Sequence, residues 1–257
     1  MDVNDCSYNK YIIMKVVITS AQSVLANAIA DEMADEHELC LLESEVIDAS
    51  RSTKCVVADH LVADTLHAAV DGADVLVHTG ELPLTPPPSD AGILDWYTRG
   101  TYDLMAAAVA AGIRRFVYCG TLELFDVYPT DVYISEMHEP FPPSQGEVMW
   151  RYLAEFIIRE FVRDHAITGT VLRLGNLVIQ DEADVDEPDV SWLDPRDAAR
   201  VVNMAVGRDA SQELNWVRRW QVRHVCANPP NPRFLIDKTI QDRIQFQFSE
   251  SWKGGHR

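Results

Sequence analysis

Thr19-Ser20-Ala21-Gln22-Ser23-Val24-Leu25-Ala26 lies where a short apolar run stops and a helical pattern starts. Val16, Val17 and Ile18 precede it as a buried strand would, and Leu25, Ile29 and Met33 follow at helical spacing. Amides at the start of a helix have no partner inside it, and the helix dipole favours negative charge there. Such a turn suits a phosphate. A second apolar run, Leu39 to Leu42, ends at Glu43, and a carboxylate at that point suits a ribose diol. Strand, turn, helix, strand is the opening βαβ unit of a dinucleotide-binding fold. Glycines in that turn normally permit the tight bend, admit the pyrophosphate to the backbone and let helix pack on strand. This turn contains none. The Cβ atoms of Ser20 and Ser23 make positive φ costly and crowd an approaching phosphate.

The elements that position this turn follow from the rest of the chain. At 257 residues it has room for one large α/β domain, or one with a small appendage. The formal net charge of −18 repels a phosphate polymer, so nucleic-acid binding is not expected. Five cysteines, with no CxxC and no Cys/His ligand spacing, read as free thiols in a reducing cytoplasm, and no metal is expected. No apolar run approaches membrane-spanning length, and MDVNDCSYNK is too polar and acidic for a signal or transit peptide.

Further short strands are expected at Cys55–Ala58, Val75–His78, around Val117, at Thr170–Asn176 and at Trp220–Cys226. Asp59 at a strand end also reads as a cap for the helix starting near Ala63. His78 reads as a packed strand-end histidine. The prolines of residues 82–92 point to an exposed loop with polyproline geometry. Helices are expected over 93–111 and 148–164. Ile157, Ile158, Phe161 and Val162 supply the apolar face of the second, and Arg151, Arg159 and Arg163 are expected outside. Asp197 reads as support for a helix N-terminus. Residues 228–234 read as a turn, followed by a polar tail.

Several of these segments, in order, resemble the extended short-chain dehydrogenase/reductase family, the NAD-dependent epimerases and dehydratases. The turn resembles TGxxGxxG with Ser20, Ser23 and Ala26 in place of the glycines. Ala73-Asp74-Val75-Leu76-Val77-His78 resembles "ADVVIH", Arg99-Gly100-Thr101 resembles the end of "NVxGT", and Arg115-Phe116-Val117-Tyr118 resembles "RFVY". Arg173 and Asn176 match the later "vlRpgn". The resemblance covers about residues 15–230. It implies an α/β fold, a Rossmann-like doubly wound parallel sheet with a reduced C-terminal substrate region. Residues 1–14 would form an extension, 15–180 the dinucleotide-binding core and 181–257 the substrate or cap region with late elements and the tail.

It also implies a site. The family uses a Ser or Thr after the fifth strand, then a Tyr-xxx-Lys pair on the next helix, as an acid–base set beside a hydride carrier. Thr121 falls on the first position. With Ala154-Glu155 aligned to the family's pattern, Glu147 and Arg151 fall on the Tyr and Lys; shifted by one residue, Gly146 and Trp150 do, and neither register restores the pair. Tyr97 falls on an Asn that usually lies under the site. Thr121, Glu147 and Arg151 are thus the catalytic candidates. An unperturbed glutamate ionises near about 4 and a tyrosine near about 10, so the carboxylate is a base only when strongly desolvated. Arginine stays charged and can hold a ribose or phosphate, but it does not replace lysine. Thr19, Ser20, Ser23, Val24, Leu25, Glu43, Asp59, His60, Thr79 and Arg151 fall on cofactor positions. Glu43 favours NAD over NADP, and Glu81, if it faces inward, is unfavourable beside a diphosphate.

Three functions remain open at this point. The first is a catalytically degenerate member with weak or absent dinucleotide binding and a regulatory or partner role. The second is an active NAD(P)-dependent oxidoreductase or nucleotide-sugar epimerase/dehydratase with a rebuilt site. The third is a scaffold without a small-molecule site that dimerises through helices 93–111 and 148–164. The partners expected are a dinucleotide or nucleotide sugar and a second copy or another protein, not nucleic acid or membrane.

Overall fold

The computed structural model describes residues 13–46, 54–59, 62–183, 189–229 and 232–246. Strands β1 (Lys15–Thr19), β2 (Glu38–Glu43), β3 (Lys54–Val57), β4 (Val75–His78), β5 (Arg115–Thr121) and β6 (Thr168–Leu174) enter one sheet. The two-residue strands β7 (Asn176–Leu177) and β8 (Trp192–Leu193) pair with each other, and β9 (Trp220–Val225) completes the large sheet. Its order is β3-β2-β1-β4-β5-β6-β9, and every pairing is parallel. The expected doubly wound α/β sheet is the observed one. The strand order reverses between β1 and β4, and ligands of open α/β sheets sit at such a point, outside the carboxyl ends of the strands.

Parallel strands covered on both faces carry unbroken apolar runs, and β1 and β4 are buried from Val16 to Thr19 and from Val75 to His78. Helices α1 (Val24–Met33) and α6 (Pro195–Val206) cover one face. The other is covered by α2 (Ala63–Val70), α4 (Thr101–Ala110) and α5 (Glu147–Asp164). The helix expected over 93–111 is three pieces: α3 (Asp90–Asp95), a π-helical turn at Trp96–Gly100, and α4. The π turn buries both Trp96 and Tyr97. Short helices α7 (Trp216–Arg219) and α8 (Lys238–Gln241) follow late in the chain.

The expected turn at 228–234 and the polar tail after it are corrected over residues 232–246. Phe234, Ile236 and Ile240 are buried in the core on the α1–α6 face, Phe246 is buried with its ring against Trp192, and Phe234 bridges to Ile134. Asp197 stands in the first turn of α6, as expected, and also anchors this arrangement. Asp194 caps α6 through the Arg196 amide, whereas the Asp197 carboxylate accepts from the Gln245 amide at 2.9 Å and the Phe246 amide at 2.7 Å. An apolar count along the sequence misses this, because the four hydrophobic residues are spread among charged ones.

Candidate cofactor and active-site cleft

A cleft of about 920 Å³ opens along the carboxyl ends of the strands. One wall is the start of α1 with the residues after β4, the floor is the end of β5, and the far wall is the chain from Leu174 to Ile179 with Pro195.

The turn into α1 keeps the backbone that glycine would adopt. Ser20 has φ of 52°, which costs a residue with a side chain about 1–3 kcal/mol. Its buried hydroxyl donates to the Glu81 carbonyl at 2.7 Å, which ties the turn to the segment after β4. Ser23 is the N-cap of α1, and its Oγ accepts from the Ala26 amide at 3.0 Å. That bond removes one amide from a ligand's reach. Gln22, Ser23, Val24 and Leu25 still border the cleft, and the first-turn amides of Val24 and Leu25 are left over by helical geometry. The turn therefore fits a diphosphate despite its missing glycines.

Thr19 lies beneath the turn, fully buried. Its hydroxyl is 3.0 Å from His78 Nδ1 and accepts from the Thr79 amide at 3.1 Å. Thr79 borders the cleft. His78 is a packed strand-end residue, its Nε2 3.2 Å from the Thr101 hydroxyl. Glu43 ends β2 buried, and its carboxylate accepts from the amides of Gln22 and Leu84, both at 3.3 Å, and from the Ser44 amide at 2.9 Å. The acid thus sits beside the turn and joins it to the proline-rich loop. Asp59 follows β3, and its carbonyl accepts from the Val62 amide at 2.9 Å. His60 lies outside the described residues.

The three catalytic candidates all border the cleft, and two of them, Glu147 and Arg151, meet each other. Thr121 ends β5, accepts from the Glu123 amide at 3.1 Å and lies 3.4 Å from the Glu123 carboxylate. Glu147 opens α5. Arg151, expected outside, is mostly buried, with 15% of its side chain exposed, while Arg159 and Arg163 do lie on the outer face. The Arg151 guanidinium donates to Glu81 Oε1 at 2.7 Å and to the Gly80 carbonyl at 3.1 Å, and its Nε is 3.4 Å from Glu147. The condition attached to Glu81 is met: it faces inward. Gly80 makes this possible, since its φ of 66° aims its carbonyl at the network, and a Cβ there would strike the Cys119 carbonyl.

Tyr97 is the member whose role the sequence did not show. The π turn carries its phenol to Glu147 Oε1 at 2.7 Å and to the Gly80 carbonyl at 3.1 Å. The available signal was its place on the Asn position under the site. Burial pushes its pKa up, with Glu147 adding to the shift against Arg151. Tyr118 is likewise pushed well up by burial and donates to the Arg151 carbonyl at 2.9 Å. Burial, then Glu81, pushes the Cys119 thiol up to about 12, so it stays protonated and is no nucleophile. For Arg151, burial favours the neutral form, but the Glu81 carboxylate outweighs it and holds the guanidinium charged.

A reversed parallel sheet, a helix N-terminus at the reversal and a cleft across the strand ends define a dinucleotide-binding α/β protein. The model of a family described as NAD(P)H-binding matches residues 21–194, and the chain belongs to that family. The extended short-chain dehydrogenase/reductase likeness read from the sequence stands with it. The chain is 23% identical over 217 residues to an NAD-dependent glucose-6-phosphate dehydrogenase of Haloferax volcanii, covering 77% of this chain and 82% of the relative. An L-arabinose 1-dehydrogenase (NAD(P)(+)) of the same organism is 23% identical over 215 residues, covering 75% and 82%. Among solved structures, a glucuronic acid dehydrogenase from Chromohalobacter salexigens superposes with a TM-score of 0.75 at 18% identity, covering 94% of this chain and 87% of that one. A mutant uronate dehydrogenase from Agrobacterium tumefaciens complexed with NAD gives 0.73 at 18%, covering 93% and 86%.

Proposed function

We propose that this chain binds a nicotinamide dinucleotide, weakly and with NAD preferred to NADP, and serves as a binding or regulatory partner without dehydrogenase turnover. One observation carries the reading. Where a dehydrogenase of this kind needs a group that exchanges a proton with the substrate oxygen, the candidates bordering this cleft are each committed elsewhere. The Thr121 hydroxyl is engaged by Glu123. A guanidinium does not release its proton. Glu147 already accepts from Tyr97 and lies beside Arg151. Behind the lining, the phenols of Tyr97 and Tyr118 are buried, with pKa values pushed up, away from neutrality.

The first-turn amides of α1 would hold the diphosphate. Glu43 would take a ribose diol and repel a 2′-phosphate only by giving up its 3.3 Å bonds to the Gln22 and Leu84 amides, which is one reason the binding is weak. Residues 15–180 would act as the binding core, with 181–257 as a reduced substrate or cap region. The outer faces of α4 and α5 expose Tyr102 and Phe156, which suits a homodimer through those helices, and a monomer in sedimentation would contradict that part. No disulfide joins the cysteines among the described residues, which suits a reducing cytoplasm. Calorimetric titration with NAD and NADP, together with assays for NADH formation from aldoses and uronic acids, tests the whole. Weak NAD binding, weaker NADP binding and no turnover are expected. Tight NADP binding or ready turnover would refute it.

A second reading has one observation in its favour. Glu147 borders the cleft with 48% of its side chain exposed and a phenol donating to it. In a rebuilt oxidoreductase or nucleotide-sugar epimerase it would serve as the base, with Thr121 as the substrate clamp and Arg151 as the ribose anchor. Turnover lost in Glu147→Gln would establish that reading over the first.

A further inference from the structure

The charges on the cleft wall are lopsided. Glu81, Glu123, Glu147 and Glu182 border it, against the single cation Arg151 among the described lining residues. Arg151 does not balance them, because Glu81 holds its Nη2 at 2.7 Å and cancels one charge for one. The carboxylates are also not spread evenly. None of the lining residues contributed by the start of α1 is acidic; Glu81, Glu123 and Glu147 gather around the ends of β4 and β5.

This layout meets a dinucleotide in a fixed direction. With the diphosphate on the first turn of α1 and the adenosine over the β1–β2–β3 half, the second nucleoside crosses the reversal point and lies over β4, β5 and β6. Its base is then delivered to the acidic end. The oxidised nicotinamide ring carries a positive charge and the reduced ring carries none, while the rest of the molecule is identical. The far wall there includes Leu174 and Leu177, and apolar walls keep water from screening the charges.

We infer that the cleft distinguishes the two redox forms of a nicotinamide dinucleotide, holding the oxidised, ring-cationic form in preference to the reduced one. The inference rests on the dinucleotide-binding reading above and gives it a purpose: a partner subunit that reports the oxidation state of the pool without consuming it. Glu147 is the principal determinant, because it is the most exposed carboxylate of the Arg151 network and is only partly neutralised by it. Glu81 acts through Arg151: as long as it holds the guanidinium, no free cation faces the ring.

Calorimetric titration of the full chain with NAD+ and, separately, with NADH tests this. NAD+ is expected to bind about tenfold tighter, the size set by one unit charge several ångströms from a partly hydrated carboxylate. The ratio should fall toward one in Glu147→Gln and in Glu81→Gln, and should shrink as salt is raised. Equal affinity for the two forms, or a preference for NADH, overturns the inference and leaves dinucleotide binding standing. A preference that survives both substitutions overturns the assignment to these carboxylates. Binding of neither form removes the dinucleotide reading itself, and this inference with it.

Discussion

Helix α5 turns Arg151 toward the cleft and Glu155, one turn on, toward the interior. Glu155 meets Arg173 of β6 in a two-point contact of 3.1 and 2.7 Å, and each side chain is 6% exposed. The Arg173 guanidinium also lies 5.4 Å from the centre of the Phe125 ring. Arg151 instead divides its donors among a carbonyl and two carboxylates, one of them half exposed. Both are arginine–glutamate contacts. The interior one is a joint between helix and sheet with a single arrangement open to it. The cleft one is a set of partial contacts that an arriving charge can redistribute. Burial, not residue type, makes the difference.

Breaking the interior joint should have the largest effect. Arg173→Ala leaves Glu155 charged and without its partner, and should cost about 3–5 kcal/mol in urea unfolding. Replacing both partners, Glu155→Leu with Arg173→Met, should recover most of that loss. A loss below about 1 kcal/mol, the range of exposed pairs, would erase the contrast.

The next effect concerns His224, fully buried between Phe125 and Phe234 on the strand beside Arg173. Burial first, then the charge of Arg173, lowers its pKa from 6.5 to about 3. Below 6.5 the unfolded chain takes up a proton that the folded chain refuses until about 3. The contribution of this residue to stability is therefore intact above that window and is lost as pH falls through it, by about 3 kcal/mol at pH 4. Denaturant midpoints measured from pH 7 to pH 4 should fall less steeply in His224→Phe than in the parent chain.

A smaller change is expected at the cleft. Arg151→Ala leaves Glu81 and Glu147 near water, and should cost about 1–2 kcal/mol of stability, well short of Arg173→Ala. A cost equal to that of Arg173→Ala would make both contacts structural joints. The smallest effect calibrates a single neutral bond on the same cleft: Ser23→Ala removes the cap of α1, and thermal unfolding should register about 1 kcal/mol.

The sheet was legible because its strands are buried on both faces and so write themselves as apolar runs. Val16–Ile18 and Leu39–Leu42 in the sequence correspond directly to β1 and β2. The turn was legible by position, and its missing glycines were visible. What was not visible was that Ser20 would still take a left-handed φ, because its hydroxyl finds the Glu81 carbonyl. Arg151 was misjudged as exposed because helical periodicity says which side chains are apolar, not which polar ones fold over a cleft. Tyr97 escaped for a different reason. A π turn shifts the facing of every residue in it, and a spacing rule built on 3.6 residues per turn cannot anticipate that shift.

The grip of Asp197 on the Gln245 and Phe246 amides has a consequence for how the molecule is made. One side of the sheet stays unsealed until residue 246 has left the ribosome. Until then α1 and α6 have a bare apolar flank, and a nascent chain stalled before Phe234 should be a client for chaperones.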